Sequence, residues 1–267
     1  MGKCLIFNCQ GEITNDNVDK LGYLKISIKS DPGQGSKLYT VVVSSDTGAE
    51  MDIVGDSYFT NSNDENLGKT SPITATVATY IHNSDCVLYI DKYNLTRLEV
   101  SMGTCPTDEL RYLTYLNNLS VKCSGDIKNL GGLTSLSDLH LTDSTVYGDI
   151  SSFSTLTSLK KLYIENTNVS TNHIEMLENC PLETLILSIS ANINGDWVKA
   201  LGNKQNLTVL YTTASFPSQC KSVLDKMAEV RKSGTMQLYM AGNFSENTSG
   251  ITKYNPLISF SETGWTW

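Results

Sequence analysis

One phrase of apolar and polar positions recurs through the middle of the chain: Leu-x-x-Leu-x-aliphatic. It reads Leu95-x-x-Leu98-x-Val100, Leu116-x-x-Leu119-x-Val121, Leu136-x-x-Leu139-x-Leu141, Leu159-x-x-Leu162-x-Ile164 and Leu182-x-x-Leu185-x-Leu187. A degenerate sixth copy is Leu207-x-x-Leu210-x-Thr212. The central leucines fall at 98, 119, 139, 162, 185 and 210, so successive copies are 21, 20, 23, 23 and 25 residues apart. Side chains alternate across a strand, so the two apolar residues of Leu-x-Leu share one face. A single short strand cannot bury that face. Copies stacked side by side can, and each buried leucine then contributes roughly 2 kcal/mol relative to exposure.

A pattern of this kind with a period of about 20–29 residues marks a leucine-rich-repeat solenoid. A second phrase keeps step with the first: Gly125-Asp126-Ile127, Gly148-Asp149-Ile150 and Gly195-Asp196-Trp197. Glycine permits a positive-φ corner, and the aspartate after it can cap the next short helix or turn. Eight residues after the first leucine of each copy stand Gly103, Ser124, Ser144, Thr167, Ser190 and Ser215. Many repeats of this type carry Asn there. Five hydroxyl residues in six positions predict hydrogen bonding to backbone at a buried corner.

The fold class expected is α/β: an N-terminal all-β module, then the solenoid, closed by a C-terminal capping helix and strand. Residues 1–92 read as strands at Lys3–Cys9, Tyr23–Ile28, Leu38–Ser44, Met51–Val54, Ile73–Ile81 and Cys86–Ile90, separated by turn-forming clusters. This predicts a small sandwich or barrel-like module. Residues 93–242 are the solenoid with its cap. Short helical or irregular segments at Asp108–Leu116, His173–Asn179 and Gly195–Gly202 join its strands. A helix is predicted over Ser218–Lys232, with Val223, Leu224, Met227 and Val230 as its apolar stripe, Gly234 as its stop and Met236–Met240 as a last strand. Residues 243–267 form a tail rich in Asn, Ser, Thr and Gly. It carries Trp265 and Trp267, which either fold back on the chain or dock on a partner.

The repeat register also gives a candidate binding face. Positions flanking the inward leucines point away from the core. Their central column is Glu99, Ser120, His140, Tyr163, Ile186 and Tyr211. One side column is Arg97, Asn118, Asp138, Lys161, Thr184 and Val209; the other is Ser101, Lys122, Thr142, Glu165, Ser188 and Thr213. His140, Tyr163, Ile186 and Tyr211, bordered by Lys161 and Glu165, form a partly aromatic stripe with a polar rim. That composition suits recognition of a protein or a glycan.

Composition narrows the chemistry. Among 267 residues the formal net charge is −8, and no basic stripe is present, which argues against nucleic acid as a partner. No apolar run approaches a membrane span, so membrane insertion is not expected. The seven cysteines show no paired Cys-x-x-Cys, and His82, His140 and His173 do not cluster with them. Unbridged, largely buried thiols are expected, with no metal and no cofactor. Gly131-Gly132 and Gly33-Gln34-Gly35 lack the lysine of a phosphate loop, and no Gly-x-Ser-x-Gly turn occurs. A polysaccharide-cleaving site would need two carboxylates converging in a cleft, and sequence spacing supplies no such pair. No catalytic residues are therefore assigned.

The N-terminal residues carry a resemblance. They include Met1-Gly2-Lys3-Cys4-Leu5-Ile6, Gly11-Glu12-Ile13 with Asn15, and Lys20-Leu21-Gly22-Tyr23-Leu24-Lys25-Ile26. They continue with Ile53-Val54-Gly55-Asp56-Ser57-Tyr58-Phe59-Thr60, Asn66-Leu67-Gly68 and Ile90-x-Lys92-Tyr93-Asn94-Leu95-Thr96. A module with these motifs, followed by repeats bearing Gly-Asp-Ile, resembles proteins of tailed phages that infect Bacteroides-type gut bacteria, crAss-like phages among them. The resemblance covers about the first 215 residues. It implies a non-enzymatic virion structural protein, an appendage or tail fibre. Residues 1–92 would dock on other virion proteins, and the repeat face would meet a host-surface protein or glycan. Assembly as a homo-oligomer is compatible with it. The Met1–Phe7 opening is too short in apolar residues for a secretory signal, which fits particles assembled in the host cytoplasm. The alternative is a bacterial leucine-rich-repeat module for protein interaction.

Overall fold

The computed structural model describes residues 23–28, 37–45, 49–54, 58–60, 66–68, 70–73, 76–82, 86–91, 95–188, 195–212, 217–230, 236–240 and 258–259. The expected strand Lys3–Cys9, the helix stop at Gly234, the corner residues Ser190 and Ser215, Thr213, and the two tail tryptophans lie outside them.

The repeat phrase becomes a parallel ladder. Its strands are β9 (Leu95–Pro106), β10 (Asn118–Asp126), β11 (Asp138–Thr142), β13 (Lys161–Glu165), β15 (Thr184–Ser188) and β16 (Val209–Thr212). The Cα register runs Leu98–Leu119–Leu139–Leu162–Leu185–Leu210 from strand to strand, in the order of the sequence copies. These six leucines are at most 1 % exposed. The strand starts are stitched as well. The carbonyl of Asn117 accepts from the N–H of Ser137 and Asp138, that of Ser137 from Lys160 and Lys161, and that of Lys160 from Glu183 and Thr184. One carbonyl per coil thus satisfies two donors of the next, which removes backbone groups that a buried turn would otherwise leave unpaired.

A shorter ladder lies beyond the first corner. There β12 (Thr145–Asp149) pairs in parallel with the end of β10 and with β14 (Asn168–Ser170). The corner glycines adopt the conformation predicted for them. Gly125, Gly148 and Gly195 have φ of +104°, +114° and +102°. The following aspartates cap the next turn: Asp126 accepts from Lys128 N–H, Asp149 from Ser151 N–H and Asp196 from Lys199 N–H. Ser144 is buried at its corner. Its Oγ accepts from Cys123 N–H at 2.9 Å and donates to the Thr142 carbonyl at 3.1 Å.

The return limb of each coil has a period of its own. Leu110, Leu113 and Leu116 are joined by N–H to carbonyl bonds three residues apart. So are Leu130, Leu133 and Leu136, and Phe153, Leu156 and Leu159. In 3₁₀ geometry residues three apart eclipse, so each set projects to one side, and all nine are buried. The sequence reading calls these limbs short helical or irregular, whereas the spacing of three was present in the residues.

Among the N-terminal strands, β1 (Tyr23–Ile28) pairs with β8 (Cys86–Asp91), which pairs with β3 (Ala49–Val54), which pairs with β6 (Thr70–Ile73). A second set runs from β5 (Asn66–Gly68) through β4 (Tyr58–Thr60) and β7 (Thr76–His82) to β2 (Lys37–Ser45). Every one of these pairs is antiparallel. The run expected as one strand over Ile73–Ile81 is divided between β6 and β7. β9 joins the two parts of the chain. Its first half pairs antiparallel with β2, Val41 opposite Val100, and parallel with β10 on its other edge. The expected column through Ser101 is corrected here. The register shifts within β9, and Thr104 rather than Ser101 lies opposite Lys122.

The C-terminal end differs from expectation only in detail. The helix runs Pro217–Val230 with Val223, Leu224 and Met227 buried, while Val230 stays partly exposed. β17 (Met236–Met240) pairs in parallel with β16, placing Leu238 opposite Leu210. β18 (Ile258–Ser259) then pairs in parallel with β17. The helix and β17 stand where the capping helix and last strand are expected, and β18 adds a two-residue pairing beyond them.

Asp149 lies at the hub of one corner. It accepts from Ser151 N–H at 3.0 Å and from Ser170 Oγ at 2.9 Å, and it meets His173 Nδ1 at 3.1 Å. Burial alone raises its pKa. The bonds from Ser151, Ser170 and His173 outweigh burial and hold it below the ordinary 3.8. A depressed carboxylate contributes stability that is present above its unfolded pKa and is lost as pH falls through the folded one. Asp149→Asn is therefore expected to lower stability near neutral pH, with the gap to the unmodified chain closing in acid, as pH falls through the lowered pKa of Asp149. Urea titrations of both proteins at neutral pH and in acid check this; an unchanged gap in acid would reject Asp149 as the source.

Candidate functional site

The parallel ladder places the expected stripe on one face, opposite the leucine core. The Cα register aligns His140 with Tyr163, Tyr163 with Ile186, Ile186 with Tyr211, and Tyr211 with Tyr239 of the additional strand. His140, Tyr163, Ile186 and Tyr211 are each partly exposed. Between them and the core lie Leu139, Leu141, Leu162, Ile164, Leu185 and Leu187, all 0 % exposed. The alternation that buries the leucines is what turns the stripe outward. Thr184 of the side column is the exception, at 8 % exposure.

The rings are ordered against each other. His140 and Tyr163 stack with centroids 3.9 Å apart and planes 19° from parallel, so each covers one face of the other. His140 Nε2 lies 2.9 Å from Asp138 Oδ1, and Lys161 Nζ lies 3.7 Å from Asp138 Oδ2. Asp138 Oδ1 is buried, and the His140 imidazole nitrogen lies beside it. Burial would raise the pKa of Asp138. The hydrogen bond and charge of His140, with the charge of Lys161, reverse this and keep the carboxyl below its ordinary range. The result is a fixed anion at the edge of a ring pair.

The rim is charged and mixed. Lys161 is exposed and Glu165 partly exposed, two residues to either side of Tyr163 on the same strand face. At the N-terminal end of the ladder Arg97 pairs with Glu99 at 2.9 Å, and this bond raises the Arg97 pKa further. Along one edge Lys122 Nζ lies 3.8 Å from Asp143 Oδ2, and Asn166 Nδ2 donates to Asp143 Oδ1 at 2.9 Å. Asp143 and Asn166 both have positive φ, 48° and 52°, and mark the corner after β11 and β13.

Other clusters read as structure. Asp149, His173 and Ser170 include the residue types of a nucleophilic triad. Ser170, however, donates its proton to the carboxylate rather than to the imidazole, so it is not aligned as a nucleophile. Cys105, Cys123 and Cys180 are buried outside any disulfide, and burial pushes Cys123 to about 12 and Cys180 to about 11. Such thiols stay protonated and unreactive at neutral pH. Among the described residues no group of three His, Cys, Asp or Glu is arranged to hold a metal. No helix among them is long and apolar enough to cross a membrane.

Sequence reasoning missed Lys204. It is 8 % exposed, and its ammonium donates to the carbonyls of Leu177, Glu178 and Cys180 at the end of the preceding coil's 3₁₀ turn. Three donors meet three acceptors, and burial lowers its pKa. A lysine in a turn between repeats gives no signal of this in sequence.

No protein-family model matches the chain, and no curated protein matches it. Similar solved structures include an internalin, inlF, from Listeria monocytogenes, with 22 % identity and a TM-score of 0.42 over 62 % of this chain and 46 % of that one. Internalin C2 from the same organism matches at 16 % identity and a TM-score of 0.35, over 64 % of this chain and 83 % of that one. The ectodomain of the receptor kinase SOBIR1 from Arabidopsis thaliana matches at 14 % identity and 0.32, over 72 % of this chain and 78 % of that one. The present chain thus spans less than half of the inlF chain. On their own register and repeat geometry, the described residues between 95 and 240 form a leucine-rich-repeat solenoid.

Proposed function

We propose that the chain is a non-enzymatic recognition module that binds a partner protein through the parallel-strand face, centred on His140, Tyr163, Ile186 and Tyr211. The observation that carries this reading is an aromatic and aliphatic stripe, half-exposed on consecutive coils, backed by a fully buried leucine layer and rimmed by Lys161 and Glu165. Interfaces draw most of their energy from a few aromatic anchors inside a polar rim. Changing Tyr163 and Tyr211 together to alanine leaves the core untouched, so the thermal melt is expected to stay in place. Binding should weaken about tenfold or more, equivalent to at least 1.4 kcal/mol. A well-folded double variant with undiminished binding would move the site elsewhere.

Within that role we place the protein on a phage particle, as an appendage or tail-fibre-like component. Residues 1–92 are its docking part, and the solenoid face contacts a host-surface protein or glycan or another virion protein. The N-terminal motifs around Lys20–Ile26, Ile53–Thr60 and Ile90–Thr96 support this reading. Mass spectrometry of purified particles tests it: the protein should be found at a fixed ratio to the capsid protein. Its absence from particles, with binding by the strand face retained, would leave a bacterial interaction module instead. Release of reducing sugar from host glycan by the purified chain would overturn the non-enzymatic reading.

A further inference from the structure

We propose that the occupant of the strand face is an amphipathic α-helix of a partner protein, lying across the strands along Tyr163, Ile186 and Tyr211. The inference rests on the strand face being the binding surface, and it names the kind of partner that face takes. Three features of the stripe carry it.

The first is spacing. Neighbouring strands are about 4.8 Å apart, so the three steps from His140 to Tyr211 span about 14 Å. An α-helix returns to the same face every 5.4 Å or so, and three turns cover about 16 Å. One helical turn therefore meets each strand with little drift. An extended peptide repeats its face about every 6.8 Å. Three such repeats run to about 20 Å and slip past the stripe by more than a strand.

The second is ring orientation. A sugar ring stacks on an exposed aromatic face. Here His140 and Tyr163 lie nearly parallel at 3.9 Å, so each covers one face of the other. Less ring face is then free for a sugar, and the next residue of the same column, Ile186, is aliphatic. A self-stacked ring pair next to an aliphatic side chain suits the apolar side chains of a helix better than a pyranose.

The third is charge. Lys161 and Glu165 stand four residues apart on one strand, both on the outward face, hence separated by about 13 Å. A helix with its side chains is about 10–12 Å across. One lying along the stripe is bracketed by the Lys161 ammonium, itself 3.7 Å from Asp138 Oδ2, on one flank and by Glu165 on the other. Its complement is acidic on the Lys161 side and basic on the Glu165 side.

Selection from three probe pools tests this. They are a displayed helical hairpin randomised on one helix face, displayed linear peptides, and an array of bacterial surface glycans. Each pool is selected on the intact chain and counter-selected on the Tyr163→Ala/Tyr211→Ala variant. Ile186→Lys serves where the tyrosine pair lowers the melt. The expected binders come from the helical pool, with apolar residues three and four apart. They lose about tenfold in affinity against Lys161→Glu/Glu165→Lys and regain it when their own flanking charges are exchanged. Face-dependent binders that are glycans, or linear peptides with alternating apolar residues, would overturn the helical occupant while sparing the strand-face reading. Helical binders indifferent to the charge reversal would overturn the proposed orientation and with it the proposal. No binder sensitive to the tyrosine or Ile186 variants would overturn both readings.

Discussion

Leu139→Asp is expected to destabilise the solenoid by about 4 kcal/mol, enough to remove much of the stability of an ordinary domain. Leu139 is 0 % exposed and lies in register between Leu119 and Leu162, so apolar side chains flank it on both neighbouring coils. Losing the leucine forfeits roughly 2 kcal/mol of burial. The carboxylate then has to stay ionised without a partner or take up a proton, and either course costs a further few kcal/mol. Because protonation relieves part of the penalty, the loss should grow as pH rises above the ordinary Asp range. Leu139→Met is the control, since a swap that conserves volume should cost less than about 1.5 kcal/mol. Urea denaturation of both variants at neutral pH and in mild acid gives the comparison. An aspartate variant as stable as the methionine variant would mean that residue 139 does not face the core.

The register at Leu139 was legible because two periods coincide there. The short alternation within Leu-x-Leu assigns a face, and the longer repeat assigns a neighbour. Where both held, as at Leu119, Leu139, Leu162 and Leu185, sequence and structure agree residue by residue. The stripe of His140, Tyr163, Ile186 and Tyr211 followed from the same alternation. Its internal order did not. The stacking of His140 on Tyr163 and the anchoring of both beside Asp138 depend on rotamers and on coil-to-coil distance, which no spacing encodes.

The failures have a common physical origin in backbone that leaves the repeat. β9 carries its extra residues between Val100 and Thr104, and the shift moved Thr104 to the place given to Ser101. A bulge changes register without changing the hydrophobic pattern on either side of it. The helix at Pro217–Val230 has the expected amphipathic stripe, and β17 after it pairs in parallel with β16 as the expected last strand. The pairing of Ile258–Ser259 with β17 was not foreseen, because two residues are too short to announce themselves by alternation. Lys204 is the sharpest case. A charged residue on a turn is solvated by default, and only the convergence of three carbonyls from the previous coil makes its burial tolerable.

The corner glycines are the place where a sequence phrase makes a quantitative demand. Gly195→Ala should cost about 3 kcal/mol, combining backbone strain of roughly 1–3 kcal/mol with a steric clash. At φ +102° an L-residue is strained whatever surrounds it, and the added Cβ would also lie 2.8 Å from the Asn172 carbonyl oxygen and 3.0 Å from the Ile174 nitrogen. Both atoms are backbone of the preceding coil, so neither can swing aside as a side chain would. Moving the corner would also disturb the bond from Gln219 Nε2 to the Gly195 carbonyl at 2.9 Å and the Asp196 cap on Lys199 N–H at 2.9 Å. Gly132→Ala provides the contrast on the return limb. Its Cβ would meet nothing within 4 Å, and its φ lies outside the positive range. That change should fall within about 0.5 kcal/mol of neutral, or stabilise by a similar amount through the unfolded chain. Thermal or urea unfolding of the two single variants side by side makes the measurement. Equal stabilities would show that the Gly-Asp corner tolerates a side chain, and that the phrase at 195–197 marks something other than a tight turn against the neighbouring coil.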